Sequence, residues 1–126
     1  MKRICRSAVV LIVALTVVGT AAAQDWTVGD HVMVNWTPDD YWYPATIVAI
    51  QDAQYTVVYD DFDRESVTAD RIRIEDLTVG DEVFCNWQRG GVYYPGRIIS
   101  RAGNAIVIRY DDDDLEATTL ACIRVQ

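Results

Sequence analysis

Beyond Lys2 the chain contains no lysine, and its one histidine is His31. No serine or cysteine stands at a recognisable nucleophile elbow, and no glycine-rich loop is present to cradle a phosphate. Nucleophilic hydrolysis and phosphoryl transfer therefore find no support. A glycosidase-like carboxylate pair is the one enzymatic alternative, but the acids cluster in turns, where facing carboxylates cannot be inferred. The residues read as those of a non-enzyme. Two thiols outside the first segment and one distant histidine do not make a four-ligand zinc site, and no cofactor is implied. His31 reads as a solvated surface residue. Long amphipathic helices are missing too; at most one helical turn is expected, near Ala69 to Arg71.

What is present begins with a basic head, Lys2, Arg3 and Arg6, an apolar run from Ala8 to Val18, and the small residues Thr20 to Ala23. This pattern predicts a secretory signal peptide over residues 1–23, cleaved after Ala23. The alternative is an uncleaved anchor, since Ile4 to Ala23 approaches the roughly 20 residues of a span. Cleavage predicts a secreted or periplasmic chain with no membrane span. It also leaves 8 arginines against 19 acidic residues, a net charge of −11. A field of that sign repels phosphate backbones and attracts cationic partners, so nucleic acid is an unsuitable ligand. Cys5 lies inside the leader. The two remaining cysteines, Cys85 and Cys122, suggest one disulfide in an oxidising compartment, closing a loop of about 37 residues and contributing about 3 kcal/mol. Unpaired, buried thiols are the alternative.

Thr27 to Glu75 lies over Thr78 to Gln126 without a gap at a constant offset of 51, with about 18 identities in 49 pairs. "TVGDHVMVNW" faces "TVGDEVFCNW", "YWYPATIV" faces "VYYPGRII", and "VVYDDFDRESVT" faces "IRYDDDDLEATT". Within each copy the period is two: Val32, Val34 and Trp36 alternate with His31, Met33 and Asn35. Runs over 41–50, 55–59, 66–68 and 72–74 are bounded by Gly, Pro, Asn and Asp turns. About five short antiparallel strands in 50 residues must close on themselves to hide their edges. The expectation is all-β: two tandem five-stranded SH3-like barrels, over 24–75 and 76–126. Domains this small bury only about 60% of their chain surface, so the barrels are expected to pack together.

The segments "VGDxVxxNW", "YYP[AG]xI" and "V-Y-D-D" with a downstream glutamate resemble the Tudor and Agenet-like group of SH3-like barrels, over nearly the whole chain after residue 23. The resemblance implies a ligand site at the open end of a bent five-stranded sheet. In chromatin-reading Tudor domains that site is a cage of aromatic rings with a carboxylate, holding a methylated lysine or arginine. Carried over, the cage positions are Trp36, Tyr43, Tyr59 and Asp61 in the first copy and Trp87, Tyr94, Tyr110 and Asp112 in the second. Phe62 adds a further wall in the first copy, where Asp113 replaces it in the second. With Tyr41, Trp42 and Phe62 the first copy has more rings and is the stronger candidate. The glycine usual near this turn is absent from both.

The physics of such a cage is general. Each ring face attracts a poorly hydrated cation by about 0.5 to 2 kcal/mol, and the aspartate supplies the countercharge. The function read here is a non-catalytic module that recognises cationic protein or peptide ligands, methylated or simply basic. The rival is an assembly module whose rings are core, because Trp36 shares the parity of Val32 and Val34, and Tyr59 that of Val57. The acidic turns at 60–65 and 111–116 invite calcium, but their spacing is not that of an EF-hand loop, and solvated turns or arginine pairs explain them.

Overall fold

The computed structural model describes residues 25–126, so the leader reading lies outside the described residues. The first barrel comprises β1 (His31–Asn35), β2 (Trp42–Gln51), β3 (Gln54–Tyr59), β4 (Arg64–Val67) and β5 (Ile72–Ile74), in the order β4-β3-β2-β1-β5. The second comprises β6 (Glu82–Asn86), β7 (Tyr93–Ala102), β8 (Ala105–Tyr110), β9 (Leu115–Thr119) and β10 (Ile123–Arg124), in the corresponding order β10-β6-β7-β8-β9. Every pairing is antiparallel. The chain is thus all-β, built of two five-stranded barrels. The expected helical turn is a 3-10 turn at Ala69–Arg71, and its counterpart is Leu120–Cys122. A further 3-10 turn, Trp87–Arg89, occurs only in the second copy.

Period-two alternation explains both cores. Val32, Val34, Ala45, Ile47, Val57 and Val67 point into the first barrel, and Val83, Cys85, Ile98, Ile106, Ile108 and Ile123 into the second. The long strands bend at equivalent bulges, between Ile47 and Ala49 in β2 and between Ile98 and Ser100 in β7. Such bulges increase local twist and let one strand serve two sides of a small barrel. Trp26, ahead of β1, is buried in the first core, and Leu77 takes the equivalent place against the second. Gly96 stands where the first copy has Ala45; a Cβ there would lie 2.8 Å from the Arg109 carbonyl oxygen, so the second barrel is the tighter at this crossing.

Cys85 and Cys122 form a disulfide with their Cα atoms 4.8 Å apart. It joins β6 to the turn before β10. The first copy carries Arg71 in place of Cys122, and its guanidinium donates from Nε to the Asn35 carbonyl at 2.9 Å and from Nη2 to Glu65 at 3.1 Å. A charge-assisted tie therefore stands where the second barrel has a covalent one.

The barrels dock through backbone and charge. Trp42 at the start of β2 and Val125 beyond β10 exchange two hydrogen bonds, of 2.7 and 3.0 Å. Glu75 accepts from Arg101 of the second barrel at 2.6 and 2.9 Å and from the Leu77 amide at 2.9 Å, which pins the connector. His31 belongs to this junction rather than to open surface. Its Nε2 donates to Asp60 at 3.0 Å and its Nδ1 to Glu75 at 3.3 Å, with the side chain 26% exposed. Parity puts His31 on the outer face of the first barrel, and the turn carrying Asp60 and the exit of β5 close over it.

The hydrogen bonds to Asp60 and Glu75 outweigh burial and raise the His31 pKa to about 9. Burial alone would raise that of Glu75, but hydrogen bonds from Arg101, His31 and the Leu77 amide hold it down at about 2. A raised histidine pKa stabilises fully below its unfolded value of about 6.5 and less as pH rises through 9; a lowered glutamate pKa stabilises above about 4.5 and less toward 2. Stability is therefore predicted to hold between about pH 4.5 and 6.5, and then to lose on the order of 2–3 kcal/mol from this histidine by pH 9. Thermal melts of wild type and His31→Gln across pH 5–10 check this: the alkaline decline should be shallower in the variant.

Candidate functional site

The open end of the second barrel is a hollow of about 380 Å³, walled by Trp87, Tyr94, Pro95 and Tyr110 and rimmed by Asp111, Asp112 and Asp114. Its rings sit where the strands end. Trp87 follows β6, Tyr94 is the second residue of β7, and Tyr110 closes β8. Tyr110 is the floor, only 4% exposed, while Tyr94 is 46% exposed and forms the lip. The Trp87 and Tyr110 centroids are 5.3 Å apart at 79°, an edge-to-face pair. One carboxylate sets both: Glu116 accepts from the Tyr110 hydroxyl at 2.6 Å and from the Gln88 amide, beside Trp87, at 3.1 Å. The side chain of Asn86 accepts from Gly91 N at 2.7 Å and steadies the loop behind. Burial, then the bond to Glu116, raises the Tyr110 pKa well above the ordinary tyrosine value, so the phenol stays neutral and its hydrogen points away from the hollow.

The first barrel has the equivalent hollow, of about 260 Å³. Trp36, Tyr43 and Tyr59 line it with Asp39, Asp61 and Asp63. Trp36 meets Tyr43 edge to face at 6.0 Å, and Tyr43 meets Tyr59 at 6.1 Å. Tyr59 repeats the design of Tyr110, 6% exposed with its hydroxyl on Glu65 at 2.6 Å. Burial and a hydrogen bond to Asp39 push the Tyr43 pKa up to about 12, against the pull of Arg124. Two residues of the second barrel complete this hollow, Tyr93 and Arg124. Their arrival distinguishes the two sites.

The structure thus brings Trp36, Tyr43, Tyr59 and Asp61 together, and separately Trp87, Tyr94, Tyr110 and Asp112. Both readings of the rings hold in part. Tyr59 and Tyr110 belong to the buried cores, whereas Trp36, at 37% exposed, and Tyr94 face outward. Asp61 and Asp112 have a local task as well, accepting from the amides of Asp63 and Asp114 at 3.1 and 3.0 Å. These are Asx turns, which suit short acidic side chains.

Phe62 departs from expectation: it does not line the first hollow. It is 87% exposed, and it borders the groove between the barrels, beside Val48, Val58 and Ala121. The cause is the backbone. With no glycine in the turn, Phe62 itself takes the left-handed conformation, φ 77°, as Asp113 does at φ 73°, and this sends the ring away from the hollow. Tyr41 and Trp42 are also used elsewhere, Tyr41 against Phe84 and Trp42 beneath the guanidinium of Arg73 at 4.2 Å. The second hollow is the larger of the two, and among the described residues no basic side chain lines it. Sequence reasoning missed Asp39, which the loop between β1 and β2 brings to the Tyr43 hydroxyl, and Tyr93 and Arg124, which only the docking of the barrels brings to the first site. Among the described residues no three His, Cys, Asp or Glu side chains converge to hold a metal.

Two five-stranded barrels in tandem, each closed by rings and aspartates at one end, define a tandem Tudor-like architecture. Residues 33–75 match the Agenet domain family model. No curated protein matches the chain. Among solved structures the chain is similar to the Crb2 tandem tudor domains, with 18% identity over 82% of this chain and 81% of that one and a TM-score of 0.56. It is also similar to Arabidopsis thaliana AGDP1 AGD34, at 16% identity, 78% and 80% coverage and TM-score 0.39. The ADCP1 tandem Agenet domain 3-4 follows, at 17% identity, 78% coverage of each chain and TM-score 0.36. The Crb2 superposition shows the fold, two Tudor-like barrels in tandem, and the Agenet model matches most of the first barrel.

The turn at Phe62 yields a test. Left-handed backbone costs a bulky L-residue about 1–2 kcal/mol, and glycine's extra chain entropy offsets about 0.5–1 of that. Phe62→Gly is predicted to leave stability to denaturant unchanged or raise it by up to about 1 kcal/mol, and to leave the first hollow intact; a larger loss would mean that the ring packs in the inter-barrel groove.

Proposed function

We propose that the protein is a non-catalytic binding module that recognises cationic groups on proteins or peptides, methylated lysine or arginine among them, in its ring-and-aspartate hollows. The observation that carries this reading is the second hollow, where three rings and three aspartates converge with no basic side chain on the wall among the described residues. A methylated ammonium is large, weakly hydrated and positive. It gains from ring faces what it forgoes in water, and the carboxylates supply the countercharge at the rim. Three rings at roughly 0.5–2 kcal/mol each, with one nearby acid, correspond to micromolar to millimolar binding per site. The leader-like amino terminus supports a secreted or periplasmic setting for this activity, and the acidic turns favour basic partners over nucleic acid. The Agenet match and the Crb2 tandem tudor fold support a binding module over an enzyme.

A second reading has its own support. Tyr59 and Tyr110 are core residues in both barrels, and a structural pair that docks onto a partner needs nothing more from them. Methylation dependence separates the two. In fluorescence anisotropy with labelled arginine- and lysine-containing peptides, methylated forms are predicted to bind at least about fivefold more tightly than unmethylated ones and to hold that preference at high salt. Trp87→Ala should abolish the preference. Binding that ignores methylation and vanishes with salt would transfer the function to the acidic surface and sink the hollow as a site.

A further inference from the structure

The two hollows are near-copies in sequence but not in charge. Arg124 leaves β10 on the outer face of the second barrel and enters the wall of the first hollow. Its guanidinium carbon lies 4.1 Å from the ring centre of Tyr41 and 4.1 Å from that of Tyr93. Nη1 donates to the Tyr43 hydroxyl at 3.3 Å and pairs with Asp39 at 3.6 Å. Two ring faces, a phenol and a carboxylate are what a bound cation would require. The second barrel cannot repeat the arrangement. Val92 and Gly90 occupy the places of Tyr41 and Asp39, and Arg73, the counterpart of Arg124, lies exposed on Trp42.

We infer that Arg124 is the first site's own cation, supplied in cis by the second barrel, and that the second hollow is the one open to an external cationic ligand. This rests on the cation-binding reading above and assigns its primary site. Arg124 acts on the first hollow in two ways. It engages Asp39 and Tyr43, two of the groups a ligand would use, and it sets a fixed positive charge on the wall against any incoming ammonium. The hollow left beside it, about 260 Å³ against about 380 Å³ in the second barrel, is the smaller of the two. A guanidinium cannot be neutralised at accessible pH, so the block does not lift by titration. It lifts only if the barrels part or the residue changes. Arg124 is therefore a specificity-determining residue: it gives a pseudo-symmetric pair one external site.

Titration with tetramethylammonium, followed at the indole N–H resonances of Trp36 and Trp87 by two-dimensional NMR, tests this in the purified protein. In wild type, Trp87 should respond at roughly tenfold lower concentration than Trp36, the factor expected for one opposed charge at short range. In Arg124→Gln the Trp36 response should strengthen by a similar factor while that of Trp87 stays put; Arg124→Lys, which keeps the charge, should show no such gain. Equal responses at both indoles in wild type overturn the inference, and this comparison requires no variant to fold. A Trp87 response combined with an unchanged Trp36 in Arg124→Gln also overturns it, leaving the cation-binding reading in place. Silence at both indoles in every protein overturns that reading and the inference together.

Discussion

A five-stranded barrel of about 50 residues has one structural problem that the rest of this molecule answers: it closes around its core but cannot cover its own open end. Ring residues at the strand ends fill that gap partway. In the first barrel the remainder is covered by the outer face of the second, which lays Tyr93 and Arg124 against Tyr41, Tyr43 and Asp39. In the second barrel no equivalent cover exists among the described residues. One docking event therefore makes two unequal ends from two equal sequences. The charged junction of Asp60, His31, Glu75 and Arg101 fixes the geometry from the other side and ties the connector to both barrels.

The same tyrosine is held twice by different means. Tyr59 and Tyr110 each place the hydroxyl on a glutamate at 2.6 Å, and each glutamate reaches on toward the first strand of its barrel. Glu65 does so through Arg71 to the Asn35 carbonyl, whereas Glu116 reaches the amide of Gln88 directly, and Cys85–Cys122 supplies the remaining restraint. The covalent version constrains the unfolded chain, by about 3–4 kcal/mol for a loop of this length. The ionic version acts only in the folded state. It follows that an oxidising compartment matters to the second barrel, which carries the larger hollow, more than to the first.

Much of this was legible from residues alone, because local rules determine it. The constant offset of 51 exposed the duplication, alternation such as Val32, Val34 and Ala45, Ile47 exposed the buried faces, and the ends of the strands located the rings. What stayed hidden depends on contacts between distant residues. Arg124 meets Tyr43 across 81 positions, and nothing in "CIRVQ" marks that arginine as different from Arg73 in "RIRIE". His31 looked solvated because its counterpart is Glu82; its partners Asp60 and Glu75 come from a turn and a strand exit that meet only in the folded barrel. Phe62 was misassigned for a local reason, since a turn without glycine forces a bulky residue into the left-handed region and reverses the direction of its ring.

The central claim is that the second hollow selects positive charge on an apolar surface rather than apolar shape alone. Calorimetric titration of the purified protein with choline and, separately, with 3,3-dimethylbutan-1-ol tests it most directly, because the two differ by a carbon in place of the charged nitrogen and little in size. The account predicts saturable binding of choline that Trp87→Ala removes, and no measurable binding of the alcohol. Equal affinity for both would contradict it, making the hollow a hydrophobic recess and returning its rings to the role of barrel core.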